Sequence, residues 1–334
     1  MQSIQFEKLF SAIKREATKI EDQMRSDLAE LIPEIDALLA EILEYGLFNG
    51  GKRIRPLLVV AASRLCGDSD DKVYRLACAF EYLHGATLFH DDIIDNSNTR
   101  RSTPTINRKF GITPAILAGD FLHAYAMSTV GRFSDKDGLK VFCAATAGMV
   151  DGEFMQLRNS ENHNLSEAEY HDVIMGKTGL LISAACVIGA MYGGGNREQI
   201  LALQTYGENL GCAFQIIDDL LDYQGDSVKT GKAVGNDLME GKMTLPLIIA
   251  LGNSEEQDKK RLLVILADAG MRKKSVDEVC QLIEKYNGFN LARERAAEAV
   301  TAACNALQIF DIESTPFERE LLEGLAHYVL AREG

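Results

Sequence analysis

Residues 90–95 read HDDIID, and residues 218–222 read DDLLD. Each stretch is an Asp-Asp pair followed by two aliphatic residues and a third aspartate. Each also follows a run without charged residues except for one histidine, over 83–89 and over 210–217. Carboxylates that close an apolar helix face are less often casual surface charge than carboxylates elsewhere. The two stretches therefore set the fold and the chemistry that the rest of the chain must support.

The spacing within each motif puts two carboxylates on one helix face. Asp91 and Asp95 are four residues apart, as are Asp218 and Asp222. Like charges at this spacing destabilise an isolated helix by roughly a few tenths of a kcal/mol per pair, so a cation is needed to offset the repulsion. Mg²⁺ takes one or two carboxylates and fills its other positions with water and substrate phosphate. The paired motifs predict a magnesium site for a polyphosphate, although a single motif of this kind is more often solvated surface.

The composition is that of a soluble globular protein. The chain has 334 residues, of which 46% are hydrophobic and 25% charged. Its net charge of −14 argues against a nucleic-acid partner, because phosphate backbones need clustered Lys and Arg. Seven cysteines without a CxxC pair predict reduced thiols and a cytoplasmic location. The N-terminus has no apolar signal region, and glycines shorten the uncharged run over 178–196, so we expect a buried helix there and no membrane span.

Apolar residues recur with the 3.6-residue period of an α-helix along nearly the whole chain. We therefore expect an all-α protein of about thirteen helices, with residues 1–334 in a single domain. The first acidic motif should end a helix over about 70–95, and the second a helix over about 197–223. Residues 96–113 are predicted to form a polar loop.

Cationic and polar residues precede or follow the acidic motifs. In residues 50–56, GGKRIRP, two glycines and three cations stand before a helix, which is a phosphate-binding pattern or an ordinary basic turn. His84 lies two helical turns before Asp91 and shares its face. The remaining residues could converge on one cleft, or they could be ordinary surface and core residues. They are Arg100, Arg101, Lys177, Thr178, Gln215, Lys232 and Lys242.

Taken together, these motifs resemble the trans-isoprenyl diphosphate synthases in the order of that family. The matching stretches are 50–56, 81–101, 176–178, 214–226 and 231–246. The resemblance implies an all-α bundle around a deep central cavity, a homodimer, and about three Mg²⁺ ions per active site. It also implies the reaction, in which isopentenyl diphosphate condenses with an allylic diphosphate. Product would leave to a membrane surface without any membrane-spanning segment.

The resemblance assigns roles by position. The implied magnesium ligands are Asp91, Asp95, Asp218 and Asp222. The residues implied for isopentenyl diphosphate are Lys52, Arg55, His84 and Arg101. Those implied for the allylic diphosphate are Arg100, Lys177, Thr178, Gln215 and Lys232. The implied catalytic set is Asp91, Asp95, Asp218, Lys177 and Lys232. Ser102 stands where relatives usually have glycine, and the spacing between Lys232 and Lys242 is one residue longer than in short-chain relatives.

Two small residues bear on product length. Ala86 and Thr87 lie five and four residues before Asp91, where short-chain relatives place aromatic residues as a plug. By analogy, this favours a polyprenyl product of roughly seven to nine isoprene units, of the kind used for quinone side chains. A geranylgeranyl or farnesyl diphosphate synthase is the alternative.

Three other classes of protein share part of this pattern. A terpene cyclase would not need the cations of residues 50–56 or His84 for a second diphosphate. A non-catalytic subunit of a heteromeric prenyl synthase should have lost motif residues, and this chain keeps them all. An acidic helical interaction protein without an active site should not respond to Mg²⁺ or to bisphosphonate-like anions.

Overall fold

The computed structural model describes the backbone of residues 2–68, 70–101, 103–159, 162–225, 234–311 and 315–332. Side chains are described in these ranges from residue 11 onward, with the exception of Pro316. Nearly all of the regular structure is helical, which confirms the all-α prediction.

The helices of the first part of the chain are α1 (Gln2–Leu31), α2 (Ala37–Leu47), α3 (Ile54–Leu65), α4 (Val73–Ile94), α5 (Ile106–Lys109), α6 (Ile112–Phe133) and α7 (Lys136–Asn159). Next come α8 (Glu167–Ile174), a π-helical turn (Met175–Gly179), α9 (Leu180–Tyr192) and α10 (Arg197–Gln224). The last helices are α11 (Asn236–Glu240), α12 (Leu245–Asn253), α13 (Glu256–Ala267), α14 (Ala269–Lys274), α15 (Val276–Lys285), α16 (Gly288–Ala306) and α17 (Pro316–Leu330). Short 3₁₀ turns cover Ile32–Glu34 and Leu307–Ile309.

The acidic motifs lie where the sequence predicts them. Helix α4 ends at Ile94 with Asp95 as its C-cap, and the second motif falls in the last turns of α10. The described segments outnumber the expected thirteen or so helices, because single turns such as α5 and α11 form separately between the long helices. Residues 96–113 are not simply a loop. They contain the antiparallel strands β1 (Thr99–Arg100) and β2 (Thr103–Pro104), and α5 follows them.

The chain folds into two compact units. The first consists of Met1–Cys143, Ala184–Leu203 and Ile309–Gly324, and α4 packs in it against α6, α3 and α1. Gly119 of α6 makes this packing possible, because a Cβ there would lie 2.3 Å from Nε2 of His90 on α4. A side chain at this position would push the end of α4, which carries the first motif, away from α6.

The second unit consists of Ala144–Ser183, Gln204–Gln308 and Leu325–Gly334. Helix α12 packs in it against α15, α16 and α8. Close contact between the π-helical turn and α10 depends on two glycines, since a Cβ on Gly211 would lie 2.6 Å from the Cα of Gly179. Whether the two units form the single domain and central cavity that we expected stays a prediction.

Among the residues that the structure describes, one continuous helix is apolar enough to cross a membrane. It runs over Glu167–Tyr192 and includes the π-helical turn. It meets the criteria for a membrane-spanning helix by its length and composition alone. In the structure 83% of its most apolar window is buried, as in the core helix of a soluble protein. This matches the buried helix expected over 178–196.

The ion pair between Arg53 and Glu81 is buried in the first unit. Arg53 Nη1 lies 2.6 Å from Glu81 Oε1, and the two side chains are 4% and 8% exposed. Without Glu81, the buried Arg53 keeps the carbonyl oxygen of Leu47 and the carboxylate of Glu21, which lies 3.7 Å away and is 34% exposed. The buried charge is then only partly compensated. We therefore expect Glu81→Ala to lower the free energy of unfolding in urea by about 3–5 kcal/mol.

The matched control is Glu256→Ala. Glu256 pairs with Lys260 at 3.2 Å, but the two side chains are 77% and 73% exposed. Such surface pairs contribute about 0–1 kcal/mol. Equal losses in the two variants would contradict the stabilising role assigned to the Arg53–Glu81 pair.

Candidate active site

The first acidic motif presents its outer carboxylates at the end of α4. The backbone N–H of Asp95 donates to the carbonyl oxygen of Asp91 over 2.8 Å, so the two residues are stacked one helical turn apart. Asp91 is half-buried and Asp95 is exposed. The pair therefore has the spacing that the sequence predicts for a shared cation.

Asp92, which lies between these two residues, binds an arginine side chain. It is 4% exposed and accepts hydrogen bonds from Arg100, with distances of 3.0 and 3.2 Å to Nε and 2.9 Å to Nη2. This two-nitrogen contact fixes the guanidinium of Arg100, which we predicted to contact the allylic diphosphate. The sequence analysis missed Asp92 because it considered only the aspartates that share a face.

Glycines at 50 and 51 allow the loop before α3 to fold against two guanidinium groups. Their φ angles are +80° and +147°, a region that favours glycine. A Cβ on Gly51 would lie 3.2 Å from Arg53 Nη1 and 3.3 Å from Arg101 Nη1. Arg101 donates to the carbonyl oxygens of Asn49, over 3.2 Å, and Gly50. The GGKRIRP loop is therefore a structured cationic turn.

His84 lies among arginines in a recess of the first unit. Burial, followed by the charges of Arg55, Arg100, Arg101 and Arg53, holds its pKa well below the usual value. The lowered pKa favours the neutral form of the His84 imidazole at neutral pH. The positive charge of the recess comes from the arginines.

The structure brings together three of the four residues predicted to bind isopentenyl diphosphate. Arg55 and Arg101 both act on His84 electrostatically. Lys52, the fourth, is exposed in the turn that precedes α3. Of the four residues, His84 and Arg101 line the recess itself. Arg100, predicted for the allylic diphosphate, lines the same recess.

In the second unit the motif at the end of α10 is already in contact with a cation. Asp218 Oδ1 lies 2.7 Å from Nη1 of Arg332. The guanidinium of Arg332 also lies over the ring of Phe214, 4.5 Å from its centroid. Asp222 accepts a hydrogen bond from the backbone N–H of Asp237 over 3.0 Å. The Arg332 guanidinium thus contacts one carboxylate oxygen of a predicted metal ligand.

Asp219 holds two predicted substrate-binding residues in place. It is buried and accepts hydrogen bonds from Tyr170 Oη (2.7 Å) and Gln215 Nε2 (2.9 Å). Gln215 Oε1 in turn accepts from the hydroxyl of Thr178 over 2.9 Å. Burial, and then the nearby Asp237 carboxylate, raises the pKa of Asp219. Asp219 is thus the counterpart of Asp92, and the sequence analysis missed it for the same reason.

Lys177 lies in the π-helical turn and is held by two residues of α7. Its ammonium nitrogen lies 2.8 Å from Glu153 Oε1 and 3.1 Å from Gln156 Oε1. Helix α7 can approach the turn this closely because Gly152 has no side chain. A Cβ at this position would lie only 2.5 Å from the backbone nitrogen of Lys177. π-Helical turns are frequent at functional sites.

For some of the residues singled out in the sequence, the structure does not test the predicted role. Lys232 and Ser102 lie outside the described residues. The ammonium of Lys242 lies 2.6 Å from Glu240 and 3.2 Å from Asp237. The predicted role of Lys232 therefore stays a prediction.

The proposed chain-length residues lie in α4. Ala86 is 2% exposed, and Thr87 is half-buried with its hydroxyl donating to the carbonyl oxygen of His84 over 2.9 Å. Both side chains are small, as the prediction of a long product requires. Their effect on product length stays a prediction.

The donor set of the motifs fits a hard divalent cation. Over the part of the chain that the structure describes, no three side chains of His, Cys, Asp or Glu gather into a metal cluster. Each motif instead offers two carboxylates one helical turn apart. Mg²⁺ commonly uses one or two carboxylates and completes its shell with water and substrate phosphate.

The chain is similar to known proteins over most of its length. The family model described as polyprenyl synthetase matches residues 36–285. An octaprenyl diphosphate synthase of Haemophilus influenzae is 36% identical over 282 residues, covering 84% of this chain and 85% of that protein. A short chain isoprenyl diphosphate synthase of Methanothermobacter thermautotrophicus is 34% identical over 325 residues, covering 96% and 98%. A crystal structure of a polyprenyl synthase of Caulobacter crescentus, complexed with calcium and isoprenyl diphosphate, has a TM-score of 0.85 at 34% identity, covering 96% and 98%.

The family model and the named relatives identify the chain as a prenyltransferase. The chain belongs to the polyprenyl synthetase family, whose members are trans-prenyl diphosphate synthases. The family's substrates are isopentenyl diphosphate and allylic diphosphates. The resemblance inferred from the motifs is thus confirmed. Relatives of nearly equal identity carry names that differ in product length, so identity does not distinguish a short product from a long one.

Proposed function

We propose that the chain is a Mg²⁺-dependent synthase that joins isopentenyl diphosphate to an allylic diphosphate, head to tail, with a trans 1′–4 linkage. Its product would be a polyprenyl diphosphate of roughly seven to nine isoprene units, used for quinone side chains. The observation that carries the proposal is the pair of carboxylates one helical turn apart at the ends of both α4 and α10. We further propose a cytoplasmic homodimer that releases product to a membrane surface.

The proposed metal ligands are Asp91 and Asp95 of the first unit and Asp218 and Asp222 of the second. Mg²⁺ held there on substrate diphosphate would supply Lewis-acid stabilisation of the charge that develops on the departing pyrophosphate. About three such ions would bind in each active site.

The residues proposed for the allylic diphosphate are Arg100, Lys177, Thr178, Gln215 and Lys232. Four of them are described, and each has a partner that fixes its position. Arg100 is held by Asp92. Lys177 is held by Glu153 and Gln156. Thr178 and Gln215 are hydrogen-bonded to each other. Donors held in place before the substrate arrives stabilise developing charge without reorganising during the reaction. This supports a role for Arg100 and Lys177 in retaining the pyrophosphate as the allylic bond breaks. Thr178, whose hydroxyl donates to Gln215, would have to turn to donate to the diphosphate.

The residues proposed for isopentenyl diphosphate are Lys52, Arg55, Arg101 and His84. The arginines would supply positive charge, and a neutral imidazole at His84 would donate one hydrogen bond to a phosphate oxygen. Binding through the diphosphate leaves the carbon–carbon double bond of this substrate available for reaction.

The chemistry needs no nucleophile from the protein. The allylic carbon–oxygen bond breaks, its electron pair leaves with pyrophosphate, and the double bond of isopentenyl diphosphate attacks the allylic carbon. The new tertiary cation loses a proton, which restores a double bond. We propose that the released pyrophosphate accepts this proton.

A shorter product is the second candidate. It is supported by the short chain synthase of M. thermautotrophicus, which matches 96% of this chain. Geranylgeranyl or farnesyl diphosphate would then be the product. A non-catalytic subunit of a heteromeric synthase is a weaker candidate, because Asp91, Asp95, Asp218 and Asp222 are all present.

The reaction is tested by following labelled isopentenyl diphosphate into acid-labile, extractable product. The purified chain, assayed alone with an allylic primer, should incorporate label with Mg²⁺, stop with EDTA and resume when Mg²⁺ is restored. Lack of incorporation by a folded chain with any primer would reject the proposal and favour the non-catalytic subunit.

The Arg332–Asp218 ion pair yields a prediction about metal affinity. We expect Mg²⁺ at Asp218 to compete with the Arg332 guanidinium, whose side chain is 20% exposed. A partly exposed pair contributes up to about 1 kcal/mol, or about fivefold in an equilibrium. We therefore expect Arg332→Ala to lower the Mg²⁺ concentration for half-maximal activity by about two- to fivefold.

Arg332→Lys is the matched control for this effect, because it keeps the positive charge and should leave the Mg²⁺ requirement near that of the unmodified chain. A higher Mg²⁺ requirement in Arg332→Ala would show that Arg332 assists metal binding rather than competing with it.

A further inference from the structure

Three soft donor atoms meet in the second unit without belonging to either acidic motif. They come from His171 on α8, Met175 at the start of the π-helical turn, and Cys212 on α10. Cys212 Sγ lies 3.1 Å from Met175 Sδ and 3.6 Å from His171 Nε2. We call this set the soft-donor cluster.

The local fold explains why these atoms meet. His171 and Met175 are four residues apart and therefore share a helix face. Gly179 leaves room for the thioether, because a Cβ there would lie 2.6 Å from Met175 Sδ. Gly211 lets α10 approach the π-helical turn and so brings Cys212 to the other two donors.

The donor types select the kind of cation. A thiolate, a thioether and an imidazole form the set that suits Cu(I), whereas Mg²⁺ prefers oxygen ligands. Zinc sites are built from Cys, His, Asp and Glu, so the methionine favours the copper class over zinc. We propose that the soft-donor cluster binds a soft monovalent cation of the Cu(I) class.

The separations are close to those of an assembled site. First-row metal bonds of about 2.0–2.3 Å place neighbouring N and S ligands roughly 3.5–3.9 Å apart. The Cys212–His171 separation already falls in this range. The Cys212–Met175 separation must widen by about 0.4–0.8 Å, which an unbranched methionine side chain allows.

The cluster is partly open to solvent. His171 is exposed, Met175 is half-buried and Cys212 is buried. Burial, and then the nearby Glu208, raises the pKa of the Cys212 thiol to about 11, so the free protein holds it protonated. On binding, the thiol proton passes to solvent and the sulfur forms the metal bond, with no change of oxidation state.

Occupancy of the cluster bears on the proposed allylic residues. Met175 begins the turn that carries Lys177 and Thr178, and Cys212 lies three residues before Gln215. A cation that joins α8, the turn and α10 would hold these side chains in one arrangement. The site itself does not depend on the proposed function, since copper binding is measured without substrate.

The test is anaerobic competition for Cu(I) between the purified full chain and the chromogenic chelator bicinchoninate. We expect about one Cu(I) per chain to be withheld from the chelator, with near-ultraviolet thiolate-to-copper absorption. The variants Cys212→Ser and Met175→Leu should each weaken binding at least about tenfold. Met175→Leu keeps the volume of the side chain, so it tests the cluster even if Cys212→Ser does not fold.

Cys304→Ser is the matched control. Cys304 Sγ lies 3.9 Å from His327 Nε2, and it provides a cysteine–histidine pair outside the soft-donor cluster. This variant should withhold as much Cu(I) as the unmodified chain. No withheld copper in the unmodified chain, unchanged binding in Met175→Leu, or loss of binding in Cys304→Ser would each overturn the proposal.

Discussion

Asp91→Asn should lower kcat by about 10²–10³-fold, the range seen when one preorganised group that stabilises transition-state charge is removed. Asparagine keeps the size of the side chain but loses the negative charge that a divalent cation requires. Asp91 is half-buried at the end of α4, one turn from Asp95, so the change should leave the helix intact. Steady-state assays over a range of Mg²⁺ concentrations measure both the loss in kcat and the expected rise in the Mg²⁺ requirement.

Asp120→Asn is the matched control for this variant. Asp120 lies on α6 near the same end of α4, 3.6 Å from His90, but its side chain is 64% exposed and lies outside the motif. Its activity should equal that of the unmodified chain. Near-normal turnover in Asp91→Asn, with an unchanged Mg²⁺ requirement, would contradict a metal-binding role for the first motif.

The same assay tests whether both motifs serve one diphosphate. If they do, Asp91→Asn and Asp218→Asn act on the same step, and their effects in the double variant fall short of the product of the single effects. Independent motifs would give multiplied losses.

Ala86→Tyr should shorten the product to the farnesyl or geranylgeranyl class. Ala86 is 2% exposed and lies five residues before Asp91 on α4. If the growing chain passes this side chain, a tyrosine blocks its path. If Ala86 is ordinary core instead, the larger side chain overpacks it and costs typically about 1–3 kcal/mol. Sizing of dephosphorylated products, with a thermal melt alongside, separates the two outcomes.

Ala86→Ser is the control, because it changes polarity without adding bulk and should keep the product length. Thr87→Phe is the second test position, since Thr87 is half-buried and tolerates a larger group more easily. Unchanged product length in folded Ala86→Tyr and Thr87→Phe would reject the placement of the chain-length residues.

The long elements of the fold could be predicted from the sequence, because a 3.6-residue apolar period over many turns leaves little choice of structure. The ends of α4 and α10 fell near the predicted positions for this reason. The hairpin of β1 and β2 could not be predicted. Its strands are two residues long, and Arg101 takes a left-handed backbone conformation (φ +51°) that no periodicity signals.

The side chains that support the site were also hidden from sequence reasoning. Asp92 and Asp219 accept hydrogen bonds from other side chains of the protein, and only the fold shows that they hold Arg100 and Gln215. The neutral state of His84 depends on burial and on arginines that lie far along the chain. Arg332 reaches Asp218 from 114 residues away, a distance over which no spacing rule applies.

The most direct test of the proposed function is the length of the product. The purified chain is incubated with Mg²⁺, farnesyl diphosphate and labelled isopentenyl diphosphate, and the dephosphorylated products are sized by chromatography. We predict a main product of roughly seven to nine isoprene units that disappears with EDTA. A main product that stops at geranylgeranyl length, or product formation that persists without a divalent cation, would contradict a magnesium-dependent long-chain synthase.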